Sequence, residues 1–218
     1  MVHAAPGHPD LSTDHADSKL SMSPDLFAPI GFFVVIISAT GLLLSRGWRS
    51  TVILLAIQYI GVFFLVATSW QIEQAFIKLI TGWIVCAVIG LVFVSSGLDI
   101  GGARIWPAGR IFRVLVILLT LITVWSVGPA VTEWIPGVGR EVLSAGLSLI
   151  TMGILQFSLG SEPFYIIIGL LTFMSGFEVV YAGVESSVLI TGLMAGVNLL
   201  LALIGSYLIA LPGLEQET

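Results

Sequence analysis

Ala75-Phe76-Ile77-Lys78-Leu79-Ile80-Thr81-Gly82-Trp83 opens an apolar run that continues to Val94. A run of about 20 apolar residues is long enough to cross a bilayer as a helix. This one carries a lysine about one turn from its start. Its tetrapeptide Leu79-Ile80-Thr81-Gly82 recurs as Leu189-Ile190-Thr191-Gly192 near the start of the last apolar run. Reading outward from that pair organises the whole chain.

The chain of 218 residues is 57% hydrophobic and 10% charged, with a mean hydropathy of +1.07. Soluble domains carry about 25% charged residues. A water-soluble globule of this length has too few charges to coat itself, so the solvent for most of the chain is lipid. The net charge of -5 is small and comes largely from the two ends, so it says little about partners; no nucleic-acid partner is expected. The one cysteine, Cys86, excludes disulfides within the chain. It also excludes cysteine-based zinc or iron–sulfur sites built by this chain alone. The polar start, Met1 to Ser23, lacks the basic region and immediate apolar core of a signal peptide.

Seven apolar stretches approach spanning length. They lie at about 26–44, 50–69, 75–95, 110–127, 141–159, 163–182 and 185–211. The expected fold is an all-α integral membrane protein with seven transmembrane helices in a 3+1+3 arrangement. A polar external tail covers 1–24, a first three-helix repeat 25–97, and loops with a linker helix 98–140. A second repeat covers 141–212, and a cytoplasmic tail 213–218. The Leu-Ile-Thr-Gly tetrapeptide is expected to open the third helix of both triplets. An odd linker helix makes such repeats parallel, related by an axis along the membrane normal.

Arg46, Arg49, Arg104, Arg110 and Arg113 fall in or beside loops of one side. By the positive-inside rule that side is cytoplasmic, which places the N-terminus outside and the C-terminus inside. Trp48, Trp70, Trp106 and Trp134 fall near helix ends, where indole rings favour the interface. Trp83 and Trp125 lie deeper and are expected to pack inside.

Polar groups inside a bilayer are costly, so each needs a reason. Two readings of Lys78 stand open: it snorkels to the nearby interface, or its buried ammonium belongs to a proton or ion route. Glu178, about one turn from the far end of helix six, should lie at similar depth and is its candidate partner. Gln58, near the middle of helix two, can bond a neighbouring helix or hold a water. Thr191, Asn198 and Gly205 are spaced by seven and share one face of helix seven. Glu185 is placed at the start of that helix. Gly41, Gly61, Gly82, Gly169, Gly176, Gly192 and Gly196 are positions for close helix approach. All three histidines lie in the tail, so no bis-histidine haem site is expected, and no cofactor or resident metal. No nucleophile–base pair or phosphate loop is present, so nothing points to an enzyme acting alone.

The run Leu44-Ser45-Arg46-Gly47-Trp48-Arg49-Ser50-Thr51-Val52-Ile53-Leu54-Leu55-Ala56-Ile57-Gln58 resembles the basic turn and second helix of the K subunit of complex I. That is a three-helix protein with an external N-terminus. The stretch Ile168-Gly169-Leu170-Leu171 through Gly176-Phe177, with Val184-Glu185-Ser186-Ser187-Val188-Leu189, is similar to the hydrogenase-4 component E family. Its members are longer K-like membrane subunits of complex I-related hydrogenases. The resemblance spans roughly 26–211.

It implies a membrane subunit working beside antiporter-like and quinone- or hydrogenase-module subunits. It also implies a prokaryotic cell membrane and a place near a proton route. The K subunit carries glutamates in its second and third helices. Here Gln58 stands at the first position, and Cys86 lies close to the second. The component E pattern has a glutamate followed by an aspartate at the last helix, which Glu185 and Thr191 match only at the first. A neutral amide cannot exchange a proton near neutral pH as a shifted carboxylate can. The expectation is therefore a mainly structural subunit with an auxiliary proton or ion role for Lys78, Glu178, Gln58, Thr191, Asn198 and Glu185. An independent small-solute transporter is the alternative, since the 3+1+3 plan is also that of the SWEET sugar carriers. A membrane anchor or assembly subunit of another enzyme is a third reading.

Overall fold

The computed structural model describes residues 27–45, 47–97, 107–135, 137–160, 162–185 and 187–214. The expected N-terminal tail, residues 215–218 of the expected C-terminal tail, Arg46, and most of the loop with Arg104 and Trp106 lie outside the described residues, while Gly213 and Leu214 belong to the last helix. Among the described residues the protein is all-helical. The elements are α1 (Phe27–Leu44), α2 (Trp48–Val66), α3 (Ile72–Ser96), α4 (Pro107–Trp134), α5 (Arg140–Leu159), α6 (Pro163–Val184) and α7 (Val188–Leu214). All seven are long and apolar enough to cross a membrane.

Local chemistry sets the ends. Thr51 returns its hydroxyl to the Gly47 carbonyl (3.0 Å), and Ser50 does the same (2.9 Å), which closes the turn into α2. Gly97 ends α3 in the left-handed region at φ 60, where a glycine pays no Cβ penalty. Pro163 opens α6 at a position whose missing N–H costs nothing. Arg113 donates to the Leu43 carbonyl (2.8 Å), so a cation from α4 caps the last turn of α1.

Several boundaries differ from the sequence expectation by about three residues, and α4 by more. The fourth helix runs seven residues further, to Trp134, straight through Gly128-Pro129. A proline removes one intrahelical hydrogen bond, and the helix resumes beyond it. Thr132 adds a second donor to the Gly128 carbonyl (2.8 Å), and Gly128 lets α4 approach Ser144 of α5. Glu185 does not begin the last helix. It is the extended residue after α6, with φ -143 and ψ 143.

The helices form two adjoining four-membered rings. One is made by α1, α2, α6 and α5, and the other by α2, α3, α7 and α6, so α2 and α6 are shared. In the first ring α5 and α6 meet backbone to backbone. A Cβ on Gly153 would lie 2.5 Å from the Phe173 nitrogen, and one on Gly176 would lie 2.6 Å from the Ile150 nitrogen. The α1–α2 pair repeats this crossing. Gly31 faces the Gly61 carbonyl and Leu65, while 115 residues later Gly146 faces the Gly176 carbonyl and Val180. With lipid outside, close packing of small residues replaces the hydrophobic effect as the force between helices. α4 lies against α5 and α1 and leaves Leu115, Leu118, Leu119, Ile122 and Trp125 exposed.

The indole expectations divide. Trp70 is buried, because its ring N–H reaches across to the Glu185 carbonyl (2.9 Å) and ties the α2–α3 turn to the α6–α7 turn. Trp83 and Trp125 face outward, 49% and 73% exposed, because the surrounding phase accepts apolar rings and the core does not need them. The glycine expectations divide as well. Gly61, Gly82, Gly169 and Gly176 sit in tight crossings and Gly41 meets Leu54, but Gly192 and Gly196 have nothing within 4 Å.

Candidate functional site: a buried ionic cluster

The ring of α2, α3, α7 and α6 has charge at its centre. Lys78 of α3 forms an ion pair with Glu178 of α6, at the Oε2 oxygen. The other carboxylate oxygen, Oε1, accepts a hydrogen bond from the Asn198 side-chain amide of α7 (2.7 Å). The Lys78 ammonium also lies over the Tyr59 ring of α2, 5.2 Å from its centroid. Lys78, Glu178, Asn198 and Tyr59 are 4%, 3%, 1% and 0% exposed. Each of the four helices contributes one side chain.

The start of the apolar run in α3 explains how this is built. Lys78, Thr81, Gly82, Val85 and Cys86 form the buried face of α3. Gly82 is one turn from Lys78, and a Cβ there would overlap the Tyr59 ring. The missing side chain is what lets the ring lie against α3 beneath the ammonium. Changing Gly82 to alanine is therefore expected to push Tyr59 aside and to lower stability by about 1–3 kcal/mol, as overpacking does. Thermal unfolding in detergent, read beside Tyr59→Leu, checks this. Similar losses in Gly82→Ala and in the double variant would place the effect at the ring.

The tetrapeptide itself is not equivalent in the two helices. Leu79 is the eighth residue of α3 and Leu189 the second of α7. Both threonines are buried and donate to a carbonyl one turn back, Thr81 to Ile77 (2.8 Å) and Thr191 to Ser187 (3.1 Å). Only Gly82 supports a partner ring; Gly192 faces open space.

Burying two opposite charges costs several kcal/mol each after relaxation. The pairing, the Asn198 donor and the aromatic face together offset that cost. A cation over a ring contributes about 0.5–2 kcal/mol. The cluster is not at the midplane. Lys78 is six residues into α3 and Glu178 six residues before the end of α6, each about 9 Å along its helix. The ammonium is 4% exposed and turns inward to Glu178 instead of snorkelling out. At the near end Trp70 and Glu185 close the helix turns over it.

Toward the far end the lining changes. Ser175, which donates to the Leu171 carbonyl (2.9 Å) and neighbours the Tyr59 hydroxyl, and Thr172 are buried polar groups. Beyond them come Val85, Ile89, Ile168, Ile167 and Leu55, then a block of rings. Trp48 stacks on Phe93 (5.2 Å) and Phe93 meets Phe164 edge-on (5.0 Å). The far part of this ring is thus mostly apolar and aromatic, with Ser206 of α7 a buried polar exception.

The structure brings together Lys78, Glu178 and Asn198 from the residues expected to matter. Gln58 is fully buried next to Tyr59 in sequence, with neither amide atom bonded to a described protein group. Thr191 is buried on the same face as Asn198, two turns away, and does not touch the cluster's polar atoms. Glu185 is exposed and contributes its backbone carbonyl. Tyr59 was missed by the sequence reading. Its signal was a tyrosine beside Gln58 in mid-helix, a polar tip that needs a reason inside lipid. Among the described residues no group of three or more His, Cys, Asp or Glu could hold a metal ion. No protein-family model, curated protein or solved structure matches the chain.

Proposed function

We propose that this chain is a membrane-embedded subunit of a multisubunit energy-converting complex of the complex I-like or hydrogenase-like kind. It is mainly structural, and the Lys78–Glu178–Asn198–Tyr59 cluster serves as an auxiliary proton or ion station. The observation that carries this reading is the buried, paired charge at the centre of a four-helix ring. Intramembrane ionisable residues are functional candidates by default. A lysine–glutamate pair can pass between its ionic form and a neutral form by moving one proton between Nζ and Oε2. Asn198 can donate to the carboxylate while that occurs. The fully buried amide of Gln58, without a bonded partner among the described residues, suits an internal water in the same helix layer.

The apolar and aromatic lining beyond Thr172 supports the auxiliary character. A station at this depth serves exchange with a neighbouring subunit better than passage through the chain by itself. The glycine crossing repeated 115 residues apart supports two related triplets joined by α4. The long exposed faces of α4 and α7 are available to neighbouring subunits. The proposed setting is a prokaryotic cell membrane with the N-terminus outside.

Purification in mild detergent with identification of the co-purifying subunits tests the assembly. Stoichiometric antiporter-like subunits are the expected result. A lone monomer or homo-oligomer that moves a solute in liposomes would overturn it. The station is tested by Lys78→Ala and Glu178→Ala in the assembled complex. Pumping reduced while assembly persists is expected, and unchanged pumping in both variants would remove the station from the proposal.

A further inference from the structure

A second feature lies on the other side of the molecule, between α1, α4 and α5. A cavity of about 420 Å³ is walled by Phe32, Ile36, Leu121 and Val124, with Trp125 at its edge. α5 supplies its polar side. Arg140 and Glu141 stand at the first turn, Ser144 one turn in, and Ser148 a further turn in. The Arg140 guanidinium sits over the Trp125 ring, 5.7 Å from its centroid. Among the described residues neither Arg140 nor Glu141 has an ion-pair partner.

The order of groups along α5 is that of a lipid seen from head to tail: two opposite charges, then hydroxyls, then hydrocarbon. The helix start adds to it, since Gly139 provides no side-chain cap and leaves first-turn N–H groups available to an anion. The adjoining phase is the bilayer itself. Phe33, Ile37, Leu118 and Ile122 of the two helices that wall the cavity, α1 and α4, are exposed on helices of spanning length, so an amphiphile reaches it by lateral diffusion. The volume falls in the range of about 300–1,000 Å³ typical of small-molecule sites. A purely anionic headgroup would meet Glu141 as well as Arg140, and like charges repel. A headgroup carrying both a phosphate and a primary ammonium satisfies both residues.

We propose that this cavity binds one zwitterionic phospholipid with a primary ammonium headgroup. Its phosphate rests on Arg140, its ammonium on Glu141, its glycerol region beside Ser144 and Ser148, and one acyl chain between Phe32, Ile36, Leu121 and Val124. The site is separate from the ionic cluster and stands whether or not the cluster moves ions.

The test is native mass spectrometry of the full chain in mild detergent with equimolar phosphatidylethanolamine, phosphatidylglycerol and phosphatidylcholine. One phosphatidylethanolamine per chain is the expected retained species. Arg140→Gln and Glu141→Gln should each weaken its retention by about tenfold, the scale of one charged hydrogen bond. Both residues are exposed, and an unchanged unfolding temperature in lipid-free detergent confirms that the variants fold. Equal or stronger retention of either other lipid, no retained lipid, or retention unchanged in both variants would overturn the proposal.

Discussion

Replacing Lys78 by alanine is expected to destabilise the protein by about 3–5 kcal/mol, the cost of leaving a buried charge without its partner. Glu178→Ala should cost a similar amount, because the ammonium then faces only the Tyr59 ring. The informative variant is the double one, Lys78→Met with Glu178→Met. Replacing both members of a buried pair by apolar side chains of similar volume is often neutral or stabilising. The double variant should therefore be more stable than either single alanine variant. Unfolding in detergent by heat or denaturant gives the comparison. Single variants within about 0.5 kcal/mol of the parent, the range of unremarkable surface changes, would mean that the pair is not buried as described. Function should separate from stability here. On the proposed function, the double variant keeps the fold and loses the only ion pair in the ring among the described residues, so pumping by the assembled complex should fall where stability does not.

The second large effect concerns glycine. Gly176→Ala is expected to lower stability by about 1–3 kcal/mol or more, because its Cβ would press on backbone atoms of α5 that cannot rotate away. The nearest are the Ile150 nitrogen at 2.6 Å and the Gly146 carbonyl at 2.7 Å. Gly192→Ala should do the opposite. Gly192 is helical and open on all sides, so alanine adds helix propensity without a clash, a gain of about 0.4–1 kcal/mol. Measuring the two side by side cancels the effect of detergent. Equal effects from the two substitutions would contradict the packing described for α5 and α6.

This contrast also shows where sequence reading stops. Gly176 and Gly192 look alike in the chain: each lies in an apolar run and each suits close helix approach. What separates them is which side of the helix faces a neighbour. In a soluble helix a polar outer face would reveal that direction. Here lipid accepts Leu193 on the outside as readily as the core accepts Leu171 on the inside, so hydropathy carries no sign of direction. The same loss explains Trp125, expected to pack inside and found 73% exposed. Gly128-Pro129 misleads for another reason: the pair signals a turn, but a membrane helix tolerates it because nearby groups re-satisfy the freed backbone. The loss of direction also explains the tetrapeptide. Four matching letters in α3 and α7 stand at different depths, while the glycine crossings are spread too thinly along the chain to be noticed.

Hydropathy along the chain is enough to give the class of molecule and its seven spans. Runs near 20 apolar residues have one solution in a bilayer, a helix that satisfies its own backbone. The sequence also places Lys78 and Glu178 at a shared depth, since depth is a count of residues along antiparallel helices. The Thr191–Asn198–Gly205 face was legible for the same reason, being a matter of helical period. Tertiary structure alone decided that Lys78 meets Glu178 across the ring, with Asn198 and Tyr59 as the other two corners. That choice depends on azimuth, the direction each helix turns. Azimuth is set by backbone contacts such as Gly82 on Tyr59 and Gly153 on Phe173, which no local pattern encodes.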